Sequence, residues 1–227
     1  MLVIFDCDGV LVETETIGAQ VLCDCLAPLG VHVSVKEVFA LFRGKSISVC
    51  VQQVAALIAD IEPYCSWPEV EREDFAVDFW SKVQIETLRA FENGVAPIPE
   101  VESLLQYLQN AHIPFCVASN GKHEKMQLSL GQAGLAKYFP QYRFSATDVA
   151  EGKPAPDLFL LAAKTMGVAP SECVVIEDSP SGARAARLAG MKLYGYCPEQ
   201  TDKHTREQLL AEGATLISRM HELQHKL

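Results

Sequence analysis

No Cys-x-x-Cys pair occurs in the 227 residues, although cysteine is present eight times. Paired spacing is what a structural zinc site or a redox motif requires, so both are excluded. Cys23 and Cys25 lie two apart in a helical stretch and point to different sides of it. The pattern predicts free thiols in a reducing compartment, hence a cytoplasmic protein. Cys7 and Cys116 fall in apolar strand runs and read as small core residues. Positive charge is scarce as well. Nineteen Lys and Arg face 29 Asp and Glu, for a formal net charge of −10 and a pI near 5.1. Such a surface repels a phosphate backbone and excludes nucleic acid as a partner. It also slows anionic substrates at long range, so a phosphate site must build its own local positive field. No apolar run approaches a membrane span, so no membrane partner is expected. No basic stretch precedes Leu2-Val3-Ile4-Phe5, so no secretory leader is expected. Internal repeats and low-complexity tracts are lacking too.

What is there is an ordinary globular mix, 49% hydrophobic and 21% charged. The length suits a single domain, or a core carrying a smaller inserted domain. Short apolar runs alternate with amphipathic ones. Strands are expected at Leu2 to Phe5, Phe115 to Ala118, Arg143 to Ser145, Cys173 to Ile176 and Leu193 to Tyr196. Helices are expected at Pro99 to Asn110, His123 to Ala133, Pro156 to Met166 and Ser181 to Ala189. Prolines stand at two of the helix starts, and glycines follow three of the helix ends. This alternation implies a parallel sheet with helices on both faces, a Rossmann-like doubly wound α/β core. The stretch from 14 to 86 breaks the rhythm. It carries helical periodicity and no convincing strand, with an interhelical loop at Asp60 to Pro68. It is expected to be an inserted all-helical cap, leaving 1–13 and 87–227 as the core. Thr215 to Ile217 predicts a last short strand, followed by a helix to Leu227.

In such sheets ligands bind beyond the carboxyl ends of the strands. Asp6 and Asp8 follow the first strand, Ser119 and Asn120 the second, and Glu177 and Asp178 the fourth. Lys153 sits in a Gly-Lys-Pro loop after the third. Asp6, Asp8 and Asp178 would repel one another without a cation among them. Oxygen ligands select a hard cation, and Mg²⁺ is the common one that also bridges to phosphate. Lys153, the Ser119 hydroxyl and backbone amides around Asn120 and Gly121 could hold phosphoryl oxygens. Of two carboxylates one residue apart, one can attack phosphorus and the other can protonate the leaving oxygen and later activate water. Each group has a bland alternative. Asp6-Cys7-Asp8 could be a solvated turn, Ser119 a helix N-cap, Lys153 an exposed loop lysine, and Glu177-Asp178-Ser179 a capping cluster. Their joint placement favours the chemical reading.

The motifs Phe5-Asp6-Cys7-Asp8-Gly9-Val10-Leu11-Val12, Ala118-Ser119-Asn120-Gly121, Lys153-Pro154-Ala155-Pro156-Asp157 and Val175-Ile176-Glu177-Asp178-Ser179 stand in order at fitting spacing. With them the chain resembles the haloacid dehalogenase superfamily, in the subgroup of β-phosphoglucomutase and sugar-phosphate phosphatases. The resemblance implies an Mg²⁺-dependent phosphatase in which Asp6 is the nucleophile that becomes phosphorylated. Asp8 is then the general acid and base, with its backbone carbonyl on the metal. Asp6, Asp8 and Asp178 make the metal site, with Glu177 on its water shell. Ser119, Asn120 (through its backbone amide) and Lys153 bind the phosphoryl group. The insertion is implied to be a mobile cap that selects a small phosphorylated substrate. In it Arg43, Gly44, Lys45 and Ser46 offer a pocket for an anionic or hydroxylated tail, though a solvated loop explains them equally.

Family mutases carry a histidine on the first cap helix and a phosphate-gripping cap arginine. The matching positions here are Gly18 and Ile47, which argues for hydrolysis over a β-phosphoglucomutase-like reaction. Ser119-Asn120-Gly121 with Lys125-Met126-Gln127, and Tyr138-Phe139-Pro140, resemble a bacterial subset active on 6-phosphogluconate, a sugar-acid phosphate. Dehalogenation is disfavoured, since Asp8, Glu177 and Asp178 would add purposeless negative charge. A phospho-receiver signalling domain is disfavoured by the early acidic pair and the insertion. A monomer is expected, with a dimer as the alternative.

Overall fold

A computed structural model describes residues 1–42 and 47–227. The cap-loop residues Arg43, Gly44, Lys45 and Ser46 lie outside them. The chain forms two compact units, one of Met1–Thr14 with Gly94–Leu227 and one of Glu15–Asn93.

The first unit opens with β1 (Leu2–Phe5), every residue of which is buried. Next comes β2 (Val12–Glu13). The chain then forms the second unit with α1 (Glu15–Leu26), α2 (Val35–Phe42), α3 (Ile47–Ile58) and α4 (Glu69–Phe91). It re-enters the first unit at β3 (Ala96–Pro97), which pairs antiparallel with β2 through Val12 opposite Pro97 and Glu13 opposite Ala96. From there α5 (Val101–Asn110), β4 (Phe115–Ser119), α6 (His123–Gln132), β5 (Arg143–Ser145) and α7 (Asp157–Thr165) follow. The unit closes with β6 (Cys173–Glu177), α8 (Pro180–Leu188), β7 (Lys192–Tyr196), α9 (Lys203–Ala211) and β8 (Thr215–Ile217).

Six strands make one parallel sheet in the order β5-β4-β1-β6-β7-β8. β1 sits in the middle, with Ile4 opposite both Cys116 and Val175. A strand buried on both faces must be apolar throughout, as β1 is. Leu2 and Ile4 face a core built with Phe159 of α7, Ala183 and Ala186 of α8, and Leu209 of α9. The small residues of α8 let that helix approach the sheet closely. Strand alternation sends Phe5 to the opposite face. There its ring meets Phe115 and Phe139 edge-on, at centroid distances of 6.3 and 6.5 Å. The segment Tyr138-Phe139 therefore packs the core. Tyr138 also donates its hydroxyl to Glu102 at 3.1 Å.

The helical unit has its own core. Ala19, Leu22 and Leu26 of α1, Cys50, Val54 and Ile58 of α3, and Ala76, Phe79 and Val83 of α4 are all buried. Their spacing of three and four residues is one face of a helix. Ser34 starts α2 as half of a capping box. It accepts from the Glu37 amide at 3.3 Å, while Glu37 accepts from the Ser34 amide at 2.8 Å.

Three details differ from the sequence reading. The boundary expected at 86–87 falls inside α4, because that helix runs unbroken to Phe91. The expected terminal helix is a 3₁₀ segment, Met220–His225. The loop at Asp60 to Pro68 contains a 3₁₀ turn, Tyr64–Ser66.

Candidate active site

β1 delivers Asp6 to the carboxyl edge of the sheet, where the Asp6 amide still bonds the Ile176 carbonyl at 3.0 Å. The chain then folds back on itself. The amides of Leu11 and Val12 bond the Cys7 carbonyl, and the Gly9 amide bonds the Val12 carbonyl at 2.9 Å. Gly9 has φ +78, and a Cβ there would strike the Asp178 carboxylate. Glycine is required on both counts, and its bareness lets the two acidic segments close on each other.

Asp6 is nearly buried, and its Oδ1 lies 2.6 Å from Lys153 Nζ. The same ammonium lies 2.5 Å from Oε1 of Glu177, which is fully buried, and 4.8 Å from the centre of the Phe159 ring. Lys153 is thus enclosed by two carboxylates and an aromatic face. This holds it protonated, with its pKa raised against the pull of burial. Burial pushes the Asp6 carboxyl up to about 7. Glu177 and Asp8 add to that rise, and Lys153 opposes it. One shared ammonium does not compensate a desolvated group ringed by other acids.

Asp8 behaves differently. Thr14 donates to its Oδ1 at 2.5 Å, and Lys125 donates to its Oδ2 at 2.7 Å. Burial works to raise this carboxyl as well, but Lys125, Thr14 and Lys153 together bring it below the ordinary aspartate value. The two acids one residue apart therefore have opposed environments.

Ser119 ends β4, is buried, and accepts the Gly121 amide at 3.0 Å. The N-cap of α6 is Lys122, so Ser119 is not that cap. Asn120 was expected to act through its backbone amide, but its side chain has a separate task. Its Nδ2 donates to the Lys153 carbonyl and its Oδ1 accepts the Lys153 amide, both at 2.9 Å. This two-point clasp fixes the loop carrying Lys153. Asn120→Ala is expected to lower kcat/KM up to about 30-fold, since two bonds contributing ~1 kcal/mol each are lost from a positioning contact. Steady-state kinetics on purified protein checks this, and an unchanged kcat/KM would remove the clasp from the account.

Glu177 was expected on the water shell of a metal. Its Oε1 is engaged by Lys153, and its Oε2 accepts both the amide and the hydroxyl of Ser179 at 3.1 and 2.8 Å. Ser179 in turn caps α8 by accepting the Gly182 amide at 3.1 Å. The capping cluster and the site are thus one structure. Gly182 has no Cβ to offer here, because one would overlap the Glu177 carboxylate.

Carboxylate oxygens of Asp6, Glu177 and Asp178 all lie within 4.8 Å of one another. With Asp8 the cluster has four carboxylates; among the described residues Lys153 pairs with Asp6 and Glu177, and Lys125 with Asp8. A cluster this rich in carboxylates, with all-oxygen donors, fits a hard divalent cation. Sequence reasoning missed two partners of Asp8. Thr14 sits at the expected domain boundary, and Lys125 was read only as part of a subgroup signature. Asp8 and Lys125 are 117 positions apart, so no local pattern could join them. Among the described residues, no helix is long and apolar enough to cross a membrane.

A parallel sheet whose carboxyl edge gathers paired aspartates, a hydroxyl and a buried lysine defines an enzyme of the hydrolase class. The chain belongs to the haloacid dehalogenase-like hydrolases, a family that matches residues 1–190, and it is a phosphatase of that family. It is 31% identical to the 6-phosphogluconate phosphatase of Escherichia coli (strain K12), over 88% of this chain and 84% of that protein. It is 30% identical to a fructose-1-phosphate phosphatase of the same organism, over 83% of this chain and 92% of that one. A crystal structure of a haloacid dehalogenase family hydrolase from Deinococcus radiodurans R1, with bound phosphate and sodium, matches with a TM-score of 0.79. The two are 31% identical, and the match covers 98% of this chain and 92% of the other.

Proposed function

We propose that this phosphatase uses Mg²⁺ to hydrolyse a small sugar phosphate or sugar-acid phosphate, with 6-phosphogluconate the first candidate, through a phosphoryl group carried on Asp6. The observation that carries the reading is the contrast between the two aspartates. Asp6 is enclosed with Lys153, while Asp8 is anchored at both oxygens. Asp6 attacks phosphorus, and the bond to the leaving oxygen breaks. Asp8 passes to that oxygen a proton taken up from solvent, against the pull of Lys125 and Thr14 toward its carboxylate form. As a carboxylate, Asp8 then takes a proton from water, which attacks phosphorus and releases phosphate from Asp6. Lys153 and Ser119 hold the phosphoryl oxygens through both steps. Asp6, Asp178 and the Asp8 carbonyl would hold Mg²⁺, which supplies the positive charge that lets a carboxylate approach a phosphate dianion.

Support for the substrate class comes from the relatives named for sugar and sugar-acid phosphates. Gly18 on α1 adds to the case for hydrolysis over mutase chemistry. No imidazole stands there, and among the described residues a Cβ would meet Thr87 of α4 at 3.9 Å. A panel of phosphorylated metabolites tests the reading. Phosphate release is expected to vanish with a chelator and to return with Mg²⁺. The highest kcat/KM is expected on a sugar or sugar-acid phosphate. β-Glucose 1-phosphate is expected to yield phosphate without glucose 6-phosphate. A preference for nucleotides would overturn the substrate class, and full activity in chelator would overturn the metal.

A further inference from the structure

The Asp8 carboxylate is fixed at both ends from within one compact unit. Thr14 engages Oδ1 at 2.5 Å and Lys125 engages Oδ2 at 2.7 Å. Lys125 is the third residue of α6, so it rides on the rigid element that follows the Ser119 strand end. Its side chain is about one-third exposed. It runs past Gly121, where a Cβ would sit 3.3 Å from the Ser119 hydroxyl, 3.5 Å from Lys125 Cδ and 3.7 Å from Asp8 Oδ2. The Ser119 hydroxyl, the Lys125 stem and the Asp8 carboxylate thus meet around one bare backbone position. Each aspartate has its own lysine, Lys153 for Asp6 and Lys125 for Asp8.

We propose that Lys125 is a positioning residue, one that fixes the plane of the Asp8 carboxylate for proton transfer. The proposal rests on the reading of Asp8 as general acid and base. A single anchor at Oδ1 leaves the carboxylate free to turn about its last torsion. A second anchor at Oδ2 removes that freedom and still leaves each oxygen a lone pair for the proton. Orientation held in advance lowers the barrier without needing any contact to substrate. A partly exposed ion pair adds little to stability, ~1 kcal/mol or less. The effect of Lys125 should therefore fall on turnover rather than on folding.

Lys125→Met and Lys125→Arg in the full chain, with Mg²⁺ present, test this on two substrates. One is a sugar phosphate, whose leaving alkoxide needs a proton. The other is dinitrophenyl phosphate, whose leaving phenolate needs none. With Lys125→Met, kcat on the sugar phosphate is expected to fall about 30- to 100-fold, with KM changed less than about threefold. On dinitrophenyl phosphate, a burst of one phenolate per chain is expected at nearly the wild-type rate, followed by slow turnover. The first half of that reaction does not use Asp8, and the second half does. Lys125→Arg, which keeps the cation and donor, is expected to recover most of the rate. Wild-type kcat on the sugar phosphate, or equal losses on both substrates without a burst, would overturn the proposal. So would an arginine variant as impaired as the methionine one. Failure of the parent reading looks different, because Asp6→Asn would then keep its activity.

Discussion

Asp6→Asn is expected to lower Mg²⁺-supported phosphate release by ~10⁴-fold or more, because the amide that replaces the carboxylate is not a nucleophile toward phosphorus. The substitution keeps the volume of the side chain and removes one carboxylate from a crowded acidic cluster. Lys153 keeps Glu177 as a partner at 2.5 Å. The variant should therefore fold normally, and thermal unfolding should show it at least as stable as the parent. Asp8→Asn is expected to cost less, ~10²- to 10⁴-fold, the usual range for general acid–base catalysis. Its signature is a phosphoryl group that forms on Asp6 from a good leaving group and then persists. Mass spectrometry after rapid quench would detect the added phosphate. An Asp6→Asn enzyme that retains a tenth of the parental rate would end the aspartyl-phosphate account.

The second large effect is expected at Lys153, and it acts on folding and catalysis at once. Lys153→Met removes the cation from between Asp6 and Glu177. Glu177 is fully buried, so its charge loses the ammonium that pairs with it among the described residues. Stranding a buried charge in this way costs ~3–5 kcal/mol, a large share of a stability of ~5–15 kcal/mol. Urea unfolding should show the midpoint moving down accordingly. Turnover should fall ~10³-fold, as a donor to the phosphoryl oxygens is lost. The two effects separate in the double variant Lys153→Met with Glu177→Gln. Neutralising Glu177 is expected to restore most of the stability and none of the activity. Recovery of neither would mean that Glu177 and Lys153 are not the electrostatic pair described, and recovery of both would remove Lys153 from the chemistry.

The elements that were legible in the sequence share a physical reason. β1, β5 and β8 have the bounds their residue patterns imply, Leu2–Phe5, Arg143–Ser145 and Thr215–Ile217. Each is a short run ended by turn-forming or polar residues; β1 is buried throughout, while β5 and β8 close the two edges of the sheet, with Thr215 exposed. β2 and β3 were invisible for the opposite reason. Two residues each, one of them Pro97, carry no period, and only their mutual pairing makes them strands. The cap boundary was misplaced because α4 runs 23 residues with no internal glycine or proline to mark a stop. Within the site, the acids and Lys153 could be anticipated from the residues just beyond each strand's carboxyl end. The side-chain task of Asn120, the full engagement of Glu177 and the hold of Lys125 on Asp8 depend on contacts between distant loops. Charge and geometry decide those contacts, and neither is written in local spacing.

The pairing of β2 with β3 has one more consequence. Val12 and Glu13 lie against Pro97 and Ala96, so the two strands that lead out to the helical insertion and back are tied side by side before it begins. Closing a loop whose ends are already joined costs little more when the loop is long than when it is short. The core is therefore a host with a docked pair of splice points, at which one helical cassette can be exchanged for another by recombination. The same two strands can thus receive a helical insertion of another length while β1 and the acids that follow it keep their places.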